Sequence, residues 1–173
     1  IVIKYGGSIL GEEKIRKGVL EDIVFLNFMG LRPVLVHGGG PNINERMRSS
    51  GKKTEFIDGM RVTDKETLDL VEEELKNLND LIVKEINELG AKGIGLSGKD
   101  NKLIQAEKKK ARIDLGLVGQ ITGINTEVVT TELKKDKTEF PVVSKIEHII
   151  PAEIQKTYKI SFTPDKEIFL SGT

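Results

Sequence analysis

The sequence predicts an α/β fold, a three-layer α/β/α sandwich around a mainly parallel sheet. Three observations carry that expectation. Short apolar runs ending in glycine alternate with longer stretches of helical spacing. The order strand, loop, helix, strand from Ile1 to Val36 is a βαβ unit, whose two strands run parallel. In the central run Pro33-Val34-Leu35-Val36 leads through His37 into Gly38-Gly39-Gly40-Pro41-Asn42, and a helix-like segment follows. Glycines at the carboxyl end of a buried strand lie where open α/β sheets bind ligands. Without Cβ atoms their N–H groups can approach a ligand closely, and the next helix turns its positive end the same way. Three glycines exceed what a plain strand-to-helix turn requires, so the loop reads as an anion or carboxylate site.

Composition excludes several classes. The 173 residues suit one domain with a proper core, and 27 basic against 27 acidic residues leave a formal net charge of zero. That balance makes no electrostatic case for nucleic acid or an anionic membrane. Cysteine is absent, which removes disulfides, thiolate catalysis and thiolate metal sites and fits a reducing compartment. The two histidines, His37 and His148, lack ligand spacing, so no metal site is expected. No run reaches membrane-span length and no signal peptide is visible. The chain opens at Ile1, inside a strand and without Met, and residues upstream are expected to be missing.

In chain order, Ile1-Val2-Ile3-Lys4-Tyr5 is a strand stopped by Gly6-Gly7-Ser8. Lys4 reaches the loop from that strand, a costly place for a buried charge without an anionic partner; the other reading is an edge strand with Lys4 in solvent. Ile15, Val19, Leu20, Ile23 and Leu26 make an amphipathic helix between Glu12 and Met29, closed by Gly30. A helix from about Asn42 to Ser50 ends at Gly51. Residues 56–64 show little periodicity, and Arg61 is placed in a loop, able to grip a carboxylate with its planar fork or to be a plain surface arginine. Thr63 or Asp64 caps the next helix, with Glu66 completing a capping box after Thr63. That helix, Lys65 to Leu89, carries Leu68, Val71, Leu75, Leu78, Ile82, Ile86 and Leu89 on one stripe.

Ala91 to Leu96 is a third parallel strand. Gly93 to Lys99 has the spacing of a phosphate-binding P-loop. However, Asp100 replaces the magnesium-binding Ser or Thr, and Leu103 to Glu107 alternates like a strand, so the P-loop is set aside. A β-hairpin from Leu103 to Ile121 fits better, with Lys108-Lys109-Lys110 as a solvated connection. Asn125 caps a short helix, and Phe140-Pro141-Val142-Val143 is a buried strand. Ile146 to Ile150 and Ile168 to Leu170 look like strands joined by a patternless polar stretch.

Five runs together resemble the amino-acid kinase family, and within it the branch that phosphorylates N-acetyl-L-glutamate. They are Ile3-Lys4-Tyr5-Gly6-Gly7-Ser8, Val34-Leu35-Val36-His37-Gly38-Gly39-Gly40-Pro41, Gly59-Met60-Arg61-Val62-Thr63-Asp64, Gly95-Leu96-Ser97-Gly98-Lys99-Asp100 and Gly116-Leu117-Val118-Gly119. They keep the family's order from Ile1 to about Val143. The resemblance implies the carbamate kinase-like fold and ATP-dependent phosphorylation of a γ-carboxylate, as in arginine biosynthesis. Mg2+ would arrive with ATP. Lys4 would stabilise charge on the phosphoryl group in flight, Gly6 and Gly7 would lie against the nucleotide phosphates, Gly38 and Gly39 would hold the substrate, and Arg61 would take its α-carboxylate. A homodimer or dimer-based oligomer is implied, with the Lys65 to Leu89 helix as a candidate surface, in the cytoplasm or, in a plant or alga, a plastid stroma.

The family's nucleotide-binding half is not found. Its Asn-Ile-Asn-Ala-Asp-type run and second lysine are missing, and Ile149-Ile150, Glu167-Ile168-Phe169 and Ser171-Gly172-Thr173 look like its last strands. The expected organisation is therefore a substrate-binding and phosphate-loop lobe over 1–143 and discontinuous remnants of a nucleotide-binding lobe over 144–173, with segments after Val143 spliced out, cut short or lost by divergence. Two alternatives stand beside the kinase. One is a non-catalytic module that binds an acetylated amino acid or a partner; the other is a kinase of a related carboxylate such as carrier-linked aminoadipate.

Overall fold

The computed structural model describes residues 1–6, 11–135, 138–144, 158–162 and 168–172. Its centre is a four-stranded parallel sheet in the order β1 (Val2–Tyr5), β2 (Val34–His37), β8 (Glu139–Ser144), β5 (Lys92–Leu96). The register pairs Lys4 with Val36, Leu35 with Val142 and Leu96 with Val143. All four strands thus end at one rim, as the βαβ argument requires. Pro141 has no N–H to give, and pairing of β8 with β2 begins only at Val142.

Alternation along the strands sorts the side chains into two cores. Tyr5, Leu35, Phe140 and Val142 face α1 (Glu13–Phe28) and α3 (Lys65–Glu88), packing with Leu20, Ile23, Leu78, Ile82 and Ile86. Val34, Leu96 and Val143 face α4 (Thr126–Lys135) through Val128 and Val129. Helices on both sides of a parallel sheet complete the three layers read from the sequence. α1 and α3 are also joined by a buried, two-pronged ion pair: Arg16 Nε and Nη2 each donate to a Glu85 carboxylate oxygen at 2.7 Å. The Tyr5 hydroxyl donates to the Arg16 carbonyl at 3.4 Å, and burial pushes its pKa up to about 12.

α2 (Gly40–Ser49) lies against α3 through Ile43, Met47, Leu68, Val71 and Leu75. It opens at Gly40 rather than Asn42, because Pro41 has the fixed φ and missing N–H that suit a first turn. Asp64 alone caps α3, accepting from Thr67 N at 2.7 Å, so the box expected between Thr63 and Glu66 does not form; Glu66 pairs with Lys52 instead. Hydrogen bonds from Thr67, then from Lys52, hold the Asp64 carboxyl down at about 2.

Two hairpins stand beside the sheet. β6 (Ile104–Lys108) and β7 (Gly119–Ile124) form the expected antiparallel pair. β3 (Phe56–Ile57) and β4 (Met60–Arg61) form a second, in a region where the sequence suggests only irregular chain. Its turn, Asp58-Gly59, has both residues at positive φ (51° and 77°), the geometry a two-residue hairpin turn demands. β9 (Tyr158–Phe162) and β10 (Ile168–Gly172) pair antiparallel with each other. β10 matches the strand expected around Ile168, and β9 falls inside the stretch read as patternless. The strand expected over Ile146 to Ile150, and His148, lie outside the described residues.

Candidate active site

The carboxyl rim of β1 and β2 is where the sequence places its site, and the two corners differ in construction. Lys4, one residue from the end of β1, is exposed and has no ion pair with any described carboxylate. Among the described residues β2 is the one strand that pairs with β1, which leaves β1 at an edge of the sheet. Gly6 follows, with open space where a Cβ would stand. Gly7 lies outside the described residues.

On β2 the triple glycine divides. Gly38 is bare: a Cβ there would meet nothing within 4 Å. Gly39 is the N-cap of α2, and a Cβ on it would lie 2.9 Å from Leu75 Cδ2 of α3. Gly40 belongs to the helix. The Gly39 carbonyl takes the first helical bond from Ile43 N at 2.9 Å. N–H donors at a helix start are suited to an anion. Strand spacing and rise put the Cα atoms of Lys4 and Gly38 on the order of 8 Å apart.

Beneath this corner sits a residue that the sequence argument used only to dismiss a metal site. His37 is fully buried, and burial lowers the pKa of its imidazole while its bond to the Gly38 carbonyl opposes that. Nδ1 is 3.1 Å from the Gly38 carbonyl oxygen; Nε2 is 2.9 Å from Asn79 Nδ2 on α3 and 3.2 Å from Ser144 Oγ at the end of β8. A histidine that closes an apolar run directly before a glycine loop was the available signal. Its partners come from elements 42 and 107 residues away, which no local pattern reveals.

Arg61 is on strand β4 rather than in a loop, and it is 1% exposed, which rules out the surface reading. Its Nη2 donates to Asn44 Oδ1 at 2.5 Å and its Nη1 lies 3.0 Å from Met47 Sδ, both on α2. The guanidinium stacks 4.7 Å over the Phe56 ring. The same helix that begins at the glycine corner therefore anchors Arg61. Thr63 joins this hairpin to the other. It donates from its N–H to Leu115 O at 3.0 Å and accepts from Leu117 N at 2.6 Å. Gly116 has φ +72°, and a Cβ there would stand 2.2 Å from Thr63 O. Two of the five runs, around Arg61 and around Gly116, thus touch.

Gly93 and Gly95, which mimic P-loop spacing, are used for packing: Cβ atoms there would press on Val83 Cα at 3.3 Å and on Asn79 Oδ1 at 2.3 Å. A cleft of about 520 Å3 opens farther along the rim, lined by Glu72, Asn79, Ser97, Lys99 and Ser144 among others, but by none of Lys4, Gly38 or Arg61. Among the described residues no cluster of His, Asp or Glu could hold a metal ion, and no helix is long and apolar enough to cross a membrane.

Parallel strands that end together, with glycines at that rim and Lys4 near the end of β1, define an open-sheet α/β protein. The chain belongs to the amino acid kinase family, whose model matches residues 1–157. It is 45% identical over 156 residues to the acetylglutamate kinase of Methanococcus aeolicus, covering 84% of this chain and 52% of that protein. With the acetylglutamate kinase of Caldanaerobacter subterraneus it shares 42% identity over 162 residues, 93% of this chain and 52% of that one. The chain therefore spans about half the length of these curated relatives. Among solved structures, smu.665 from Streptococcus mutans superposes with a TM-score of 0.71 at 27% identity, covering 83% of this chain and 57% of that one. N-acetylglutamate synthase from Neisseria gonorrhoeae superposes at 0.69 with 19% identity over 86% and 34%, a likeness of fold.

Proposed function

We propose that this chain forms the acid-binding half of a kinase that transfers the terminal phosphoryl group of ATP to the γ-carboxylate of N-acetyl-L-glutamate. The observation that carries the reading is the shared rim: Lys4 and the Gly38 corner end neighbouring parallel strands, close enough to serve one small cleft. The named relatives supply the choice of acid.

The chemistry asks little of the protein beyond position and charge. A carboxylate is already an adequate nucleophile, so attack on the phosphoryl group needs no general base. In this reading, Lys4 neutralises charge on the transferring group. Gly38 and Gly39 meet the reacting acid, and Arg61 takes the α-carboxylate from the side of α2. Gly6 and Gly7 receive phosphate oxygens of ATP. Mg2+ would accompany ATP and supply positive charge that offsets that of its phosphates.

The test is a coupled ADP-release assay on the intact protein with N-acetylglutamate. Turnover that Lys4→Ala lowers through kcat, and Arg61→Ala lowers mainly through KM, supports the assignment; two variants indistinguishable from the parent overturn it. Acetylglutamate binding without ADP release fits the binding-module alternative, and turnover of a carrier-linked aminoadipate instead moves the substrate.

A further inference from the structure

The contacts of Asn79 fix the protonation of the buried imidazole. Its side-chain nitrogen donates to Val142 O at 3.0 Å, an acceptor without a proton, so the amide's two ends are assigned. The same nitrogen faces His37 Nε2 at 2.9 Å, and the Ser144 hydroxyl faces it at 3.2 Å. Nε2 therefore accepts. The ring proton sits on Nδ1 and donates to the Gly38 carbonyl at 3.1 Å. The Gly38–Gly39 peptide is trans, so its N–H points opposite to that carbonyl. With the carbonyl held by the imidazole, the Gly39 N–H is turned away from His37.

We infer that His37 is a positioning residue, a neutral Nδ1-protonated imidazole that holds the Gly38–Gly39 peptide with the Gly39 N–H aimed at the bound acid. Gly95 belongs to the same device, since it leaves Asn79 the room to reach the ring. The role in catalysis rests on the kinase reading; the hold on the peptide does not.

Two measurements on the intact protein test it. In nitrogen NMR of histidine-labelled protein at neutral pH, the ring signal lost in His37→Asn should show a protonated Nδ1 and a bare Nε2. In kinetics, asparagine sets its amide nitrogen near the place of Nδ1 and glutamine near that of Nε2. His37→Asn should stay close to the parent, while His37→Gln and His37→Leu raise KM for N-acetylglutamate about tenfold to a hundredfold, the range for a lost bond to a charged group. Thermal unfolding of each variant separates this from loss of fold, since a merely structural histidine would move Tm without the split between Asn and Gln. A doubly protonated or Nε2-protonated ring, or equal kinetics for Asn and Gln, overturns the inference. Absence of turnover in the unmodified protein sinks the kinase reading alone, and the tautomer still decides whether His37 holds the Gly38 carbonyl.

Discussion

The rim and the frame beneath it are built on opposite rules. At the rim, Lys4 is exposed, and Gly6 and Gly38 have open space around them. A residue or two below, His37 is fully buried with both ring nitrogens engaged, Gly39 is pressed against Leu75, and Arg16 and Glu85 are joined in the interior. The difference separates two kinds of importance. Rim residues contribute almost nothing to holding the fold, so substitutions there read out in chemistry. Frame residues are committed to neighbours, so substitutions there read out in stability, and at His37 in KM as well.

The sharpest way to break that comparison is Arg16→Ala, which leaves Glu85 charged and buried. Removing one partner of such a pair costs about 3–5 kcal/mol, and urea unfolding should show it; Arg16→Met with Glu85→Leu should recover most of the loss. Lys4→Ala should do the reverse. Its unfolding midpoint should stay near the parent's while kcat falls by about 10²–10³, the effect of losing one stabilising group at a developing charge. If Lys4→Ala destabilises the protein instead, the rim is part of the frame and the comparison fails.

Smaller effects sharpen it. Gly116→Ala puts a methyl against the Thr63 carbonyl at a positive φ, and about 3 kcal/mol of destabilisation is expected, with acetylglutamate KM rising because Arg61 shares that hairpin. Asp64→Ala removes the α3 cap for about 1 kcal/mol. The folded-state pKa of Asp64 lies below the usual value of 3.8. Its contribution is therefore complete above that value and fades as pH falls toward about 2. An acid titration of stability should flatten there in the variant. Gly38→Ala should leave stability within about 0.5 kcal/mol, whereas Gly39→Ala must move the Leu75 tip and should cost about 1 kcal/mol.

The fold was largely legible because its signals are local. β2 and β8 announce themselves as apolar runs, α1 and α3 as apolar stripes, and the parallel sheet as a consequence of a helix between strands. What escaped was either very short or made of distant parts. β3 and β4 have two residues each, too few for any period, and only the Asp58-Gly59 pair marks them. Arg61 looked ambiguous because its burial depends on Met47, Asn44 and Phe56. His37 looked inert because its meaning lies in a helix and a strand far along the chain. Gly93 and Gly95 misled by spacing alone; what they answer to is the surface of α3.

The order β1, β2, β8, β5 gives the molecule a late keystone. Among the described strands of this sheet β8 is the last to be synthesised, yet it lies between β2 and β5 and supplies Val142 O and Ser144 Oγ to the Asn79 and His37 contacts. Until residues 139–144 leave the ribosome, β2 and β5 each present an unzipped edge and the glycine corner has no settled orientation. A nascent chain stalled short of Glu139 would therefore be a sticky, siteless intermediate, a natural client for a chaperone rather than a smaller version of the protein.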